Sequence, residues 1–155
     1  MLRPQSLAEV AQRARDAPSE FYMALNEFAD EFYLDHPDKR AQQSRIDPIP
    51  EAVGEPLIDA LIGAVGEHLA QRWGLSVPDW TQRPVHFALE EPRFLPDSRA
   101  LRGALIVESP PAFRSRLLFT GAEPLDRARF PKDVARARVP LDWPPPPEDP
   151  ESARS

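Results

Sequence analysis

Apolar residues recur at helical spacing in three stretches of the chain. In the clearest, about Glu20 to Leu34, Phe21, Leu25, Phe28 and Phe32 follow at steps of four, three and four, and Tyr22, Ala29 and Tyr33 widen the stripe. Large aromatics at this spacing form core, so this helix is expected to organise the interior. A second stretch, Leu57 to about Trp73, sets Leu57, Leu61, Val65 and Leu69 on one side with Ile58, Ile62 and Trp73 adjacent; Gly74 supplies its stop. Gly63 and Gly66 inside it each cost about 1 kcal/mol relative to Ala, which points to a close approach by another element or to a tolerated penalty. The third stretch, Ser6 to about Ala17, opens on a capping box (Ser6, Glu9) and carries Leu7, Val10, Ala11 and Ala14 on one stripe.

The remaining segments are punctuated by proline. Ser19 is expected to cap the Glu20–Leu34 helix, and His36–Pro56 reads as a polar connector with room for a short helix at Asp38–Ser44. Residues 76–97 carry four prolines but also Trp80, Phe87, Leu89, Phe94 and Leu95, which predicts an irregular segment packed against the body. Arg99–Val107 is read as a helix with Leu101, Ala104 and Leu105 inward. The alternative, a short strand through Ile106 and Val107, lacks a partner strand. Ser109 is expected to cap a last helix through Pro110–Pro111, Phe113, Leu117 and Leu118, ending at Phe119–Gly121. The pattern is that of an all-α bundle of five or six helices, with Phe21, Phe28, Phe32, Trp73, Trp80 and Phe113 as structural anchors. The helical domain is expected to span 1–138; residues 139–155 read as a Pro-rich, acidic disordered tail.

Composition narrows the class. The chain has 155 residues, 20 prolines, 6 glycines and no cysteine, which removes disulfides, thiolate metal sites and cysteine nucleophiles. No apolar run approaches the ~20 residues that cross a bilayer, and no signal-peptide core is visible, so a cytoplasmic protein without membrane contact is expected. The net charge of −6 conceals a segregation: residues 16–67 hold twelve acidic and three basic side chains, whereas 99–138 hold nine basic and four acidic. Either the two parts neutralise each other or one of them faces a charged partner.

Motifs for catalysis are sparse. No phosphate-binding glycine loop and no GxSxG elbow occur, and none of His36, His68 and His86 forms an i, i+4 metal pair, so no metal and no cofactor are expected. Glu27, Asp30 and Glu31 read as a solvated face more readily than as a divalent-ion site. Glu67, His68 and Arg114 are the candidate acid–base group if a cleft joins them. The string Glu108-Ser-Pro-Pro-Ala-Phe-Arg-Ser-Arg-Leu-Leu-Phe119 is the most unusual. Its Arg114 and Arg116 either pair with Glu108 or an acid of the Glu20–Leu34 helix, or form an exposed fork for an acidic protein or phosphate. With Arg127, Arg129 and Trp143 they are the candidate partner-binding residues.

Taken with Asn26-Glu-Phe-Ala-Asp-Glu-Phe-Tyr33, Glu67-His-Leu-Ala70 and Pro78-Asp-Trp80, that string is similar to a family of small, uncharacterised bacterial proteins. Those proteins look like companions of nucleotidyltransferase-like proteins in toxin–antitoxin-type gene pairs. The resemblance covers about residues 20–130 and implies an antitoxin-like or accessory role, with a nucleotidyltransferase-like protein as partner and no catalytic residue. Where members carry Asn after the Arg-rich turn, this chain has Leu117-Leu118. The expected function is non-enzymatic protein binding. The alternatives are a DNA-binding regulator using residues 99–138, which needs an exposed recognition helix, and a small hydrolase or transferase. A further option makes Trp143–Pro147 a docking ligand for an aromatic groove.

Overall fold

A computed structural model describes residues 2–131. Within them the chain is mostly helical: α1 (Leu7–Asp16), α2 (Phe21–Leu34), α3 (Lys39–Ile46), α4 (Pro56–Trp73), α5 (Arg102–Glu108) and α6 (Pro111–Arg114). Short 3₁₀ turns intervene at Pro18–Glu20, Asp79–Gln82, Pro84–Phe87 and Arg99–Leu101. The 132–138 part of the expected domain and the 139–155 tail, including Trp143, lie outside the described residues.

The main stripes pack as the periodicity predicts. Phe21, Phe28 and Phe32 of α2 are shut off from water, and Trp73, Trp80 and Phe113 are buried with them. Tyr33 hydroxyl donates to the Leu125 carbonyl (2.6 Å), and Trp80 Nε1 donates to the Ile46 carbonyl (2.9 Å), so the wide aromatics are also fixed by their polar ends. Phe130 closes the end of this seam, its ring 5.1 Å from Tyr33 and 5.3 Å from Trp73. Ser6 caps α1 and Asp38 caps α3 by accepting from Glu9 N (3.2 Å) and Ala41 N (3.1 Å). Gly74 ends α4 in the left-handed conformation (φ 71°), as its position required.

Helix α4 is buried along most of its length, because the two 3₁₀ turns of residues 79–87 lie across it. The glycines make this possible. A Cβ on Gly63 would sit 2.5 Å from His86 Cβ, and one on Gly66 would sit 2.8 Å from the Trp80 ring. The segment 76–97 is therefore packed down in its first half, with Trp80 and His86 buried, but Phe87 is partly exposed and residues 90–93 face solvent.

Several expectations fail. Ser19 does not cap α2; Pro18–Glu20 forms a 3₁₀ turn that runs into the helix, whose N-cap is Glu20 without a side-chain bond. Ser109 caps no helix N-terminus. Its hydroxyl donates back to the Leu105 carbonyl at the end of α5, and accepts from Thr120 N (2.8 Å). The helix after it is also cut to four residues by Leu117 (φ 65°). That turn sends Leu118–Phe119 (β2) alongside Arg93–Phe94 (β1) as a two-residue parallel pair, tied by Arg93 N to Leu117 O (2.9 Å) and Leu95 N to Phe119 O (2.8 Å). The Phe94 and Phe119 rings stack on it at 5.2 Å. Finally, α5 is a helix, as preferred, but it buries only Leu105; Leu101 and Ala104 are exposed because none of the described residues covers the outer side of this peripheral element.

Candidate interaction site

The candidate partner-binding arginines divide sharply. Arg116 is not a surface residue: its side chain is wholly buried. One terminal nitrogen donates to Glu67 Oε1 and the Ala112 carbonyl, the other to the Thr81 carbonyl, all at 2.7 Å, and the Phe87 ring lies 4.2 Å from its Cζ. Burial pulls its pKa down and the Glu67 carboxylate restores part of the loss. The acid that meets it comes from α4, not from Glu108 or α2. Arg114 is exposed and donates to the Ser109 carbonyl (2.7 Å). Arg127 forms a two-pronged bond to Asp30 of α2 (3.1 and 3.0 Å), which holds that carboxyl below its usual range. Arg129 is exposed. Arg116 and Arg127 thus join the acidic and basic parts of the chain to each other, and the Arg72–Glu123 pair (3.1 and 3.0 Å) ties the end of α4 to residues 120–125.

The candidate acid–base group does not assemble. Neighbours on a helix diverge by about 100°, so Glu67 turns to Arg116 while His68 packs edge-on against Phe113, ring centroids 5.5 Å apart. Burial first, and the positive Arg72 second, lower the His68 pKa to about 4, so the ring is neutral at pH 7. Sequence reasoning missed the most connected histidine, His86. Its Nδ1 lies 2.7 Å from the Asp59 carbonyl, which can only accept, so Nδ1 carries the proton and Nε2 accepts from Arg83 (3.0 Å). Arg83 also donates to the Pro50 carbonyl (2.7 Å), and the Asp59 carboxylate accepts from Val53 N (2.8 Å) and Gly54 N (2.9 Å). Asp59, Arg83, His86 and Arg116 form a polar seam that fastens the connector and the 3₁₀ turns to α4. The acids of α2 are likewise engaged: Glu27 with Arg13, Asp30 with Arg127 and Arg3, and Glu31 with Arg3. Among the described residues no three His, Asp or Glu side chains group closely enough to hold a metal ion.

Two clefts stand out on the surface of the described residues. A shallow one of about 490 Å³ lies between α3 and the end of α4. Its walls are tied to each other: Lys39 donates to the Trp73 carbonyl (2.6 Å), and the Gln43 amide bonds Ser76 O and N (both 2.9 Å). The other, about 170 Å³, opens between α2, α4 and residues 120–125. Leu25, Leu61, Val65, Leu95, Phe113 and Leu125 line it, no charged side chain does, and Tyr22 and Asn26 stand at its wall. Tyr22 is half exposed and its neighbour Met23 more so. The α2 periodicity marked this helix as core and counted Tyr22 in its widened stripe; Tyr22 instead stands at an open edge beside the exposed Met23.

Scans against protein-family models, curated proteins and solved structures return no match. Among the described residues no helix is long and apolar enough to cross a membrane.

Proposed function

We propose that the chain is a non-enzymatic protein-binding regulator, antitoxin-like or accessory to a bacterial partner, and that the partner inserts an apolar side chain between α2, α4 and residues 120–125. The observation that carries this reading is the contrast between its polar and apolar groups. The buried Arg116, His86 and Asp59 are engaged inside the protein, while an uncharged apolar cleft edged by exposed Tyr22 stays open. Its volume decides the occupant. Small-molecule pockets run to about 300–1,000 Å³, so about 170 Å³ suits one leucine or aromatic anchor of the kind that dominates protein interfaces. A nucleotidyltransferase-like protein is the first partner to test, on the resemblance of residues 20–130.

The DNA-binding alternative has less support. Among the described residues its segment offers helices of seven and four residues, with Arg116 buried and Arg127 tied to Asp30. Copurification of the full chain from its native host in mild salt tests the proposal. A stoichiometric protein partner is expected, lost on Tyr22→Glu; recovery of the chain alone contradicts it.

A further inference from the structure

Helix α5 presents a second, chemically different surface. Of its seven residues only Leu105 is buried, and Leu101, Ile106 and Val107 are 46, 47 and 56% exposed. At about 100° per residue, Ile106, Gly103 and Val107 follow one another around the side opposite Leu105. A Cβ on Gly103 would meet no atom within 4 Å, so the helix backbone is bare at the centre of this face. Its edge is basic: no acidic residue occurs between Asp97 and Glu108, Arg99 forms no ion pair among the described residues, and Arg102 rests 4.9 Å over the Phe94 ring. Among the described residues Arg102 pairs with Asp97 at 3.6 Å; that carboxylate is 84% exposed, and such a pair contributes little in water. No residue of α5 lines either cleft.

We infer that the outward face of Leu101–Val107 docks an acidic amphipathic helix of a partner protein. The partner's apolar stripe covers Ile106 and Val107 across Gly103, where the missing side chain allows close helix approach. Its carboxylates meet Arg99 and Arg102, whose planar forks suit that geometry. The inference extends the partner-binding reading to a second surface and is tested apart from the cleft.

The probe is a short synthetic helix with Leu at every third or fourth position and Glu on its flanks, with a control peptide in which Lys replaces every Glu. Each is titrated into the isotope-labelled full chain and followed by amide chemical shifts. The acidic peptide is expected to move the amides of residues 99–108, to weaken with added salt, and to lose about tenfold in affinity in Arg99→Glu/Arg102→Glu and in Val107→Asp. These side chains are exposed, so an unchanged far-ultraviolet circular dichroism spectrum shows that the fold survives. Equal binding of both peptides, no binding, or shifts confined to Tyr22–Asn26 and residues 120–125 would overturn the inference. So would uptake by phosphatidylglycerol vesicles without any response to the acidic peptide, which reassigns the face to a lipid surface. Tyr22→Glu leaves the acidic peptide's binding intact, whichever way the copurification turns out.

Discussion

The Arg116 side chain has no water around it, so protein groups must meet its charge, and three oxygens at 2.7 Å do so. Arg116→Ala strips the donors from Glu67, Thr81 and Ala112 together and is expected to cost about 3 kcal/mol in urea unfolding. Arg116→Lys recovers less than half of that, because one ammonium cannot span Glu67 and Thr81 as the fork does; a Lys variant as stable as wild type contradicts the assignment. His68 gives a pH test with a fixed sign. Its folded pKa of about 4 lies below the ordinary 6.5, so the unfolded chain takes up the proton first. Stability is unaffected by this ring above about pH 6.5, falls as pH drops from there to about 4, and levels off below, a total of about 3 kcal/mol. His86, also lowered by burial, acts in the same direction. Urea midpoints measured from pH 7.5 to 4 should flatten in His68→Leu; an unaltered slope sinks this account.

Between elements, the closest approach is that of the 3₁₀ turns on α4. Gly63→Ala improves helix propensity by about 1 kcal/mol but drives a methyl to 2.5 Å of His86 Cβ, which is anchored close to the backbone and cannot swing away. A net loss of about 2 kcal/mol is expected. Gly103→Ala, in open space on α5, should instead gain up to about 1 kcal/mol; thermal unfolding of the pair reads the opposite signs. The same elements show what was legible in the sequence. The α2 and α4 stripes, the Ser6 cap and the Gly74 stop follow from periodicity and local chemistry, and they appear where expected, apart from Tyr22. The β1–β2 pair was invisible because two residues carry no alternation, and it depends on the positive φ of Leu117 and on two rings brought together from distant positions. The seam of Asp59, Arg83 and His86 was missed because periodicity scores apolar faces. The i, i+3 glycines of α4 were its one local trace.

Across the whole molecule, the charge segregation along the chain resolves in part into ion pairs that join its acidic part to its basic part. Arg127 reaches Asp30, a sequence separation of 97, yet the arginine side chain is 36% exposed. A double-mutant cycle of Asp30→Asn and Arg127→Gln should therefore return a coupling near 1 kcal/mol, weakened by salt, and not the several kcal/mol of a buried pair. The candidate site was legible only as a residue class. Arg-rich turns and exposed cations are visible in the sequence, whereas a cleft formed by α2, α4 and residues 120–125 exists only once the three are packed. The polar interior thus holds the fold, while apolar surface is left to meet a partner. Hydrogen–deuterium exchange of the full chain, alone and in the complex recovered from its host, tests this most directly. New protection is expected at Tyr22–Asn26 and residues 120–125, with the amides around Arg116 already slow in the free chain; a complex that protects neither segment, or fast exchange around Arg116 in the free chain, rules the partition out.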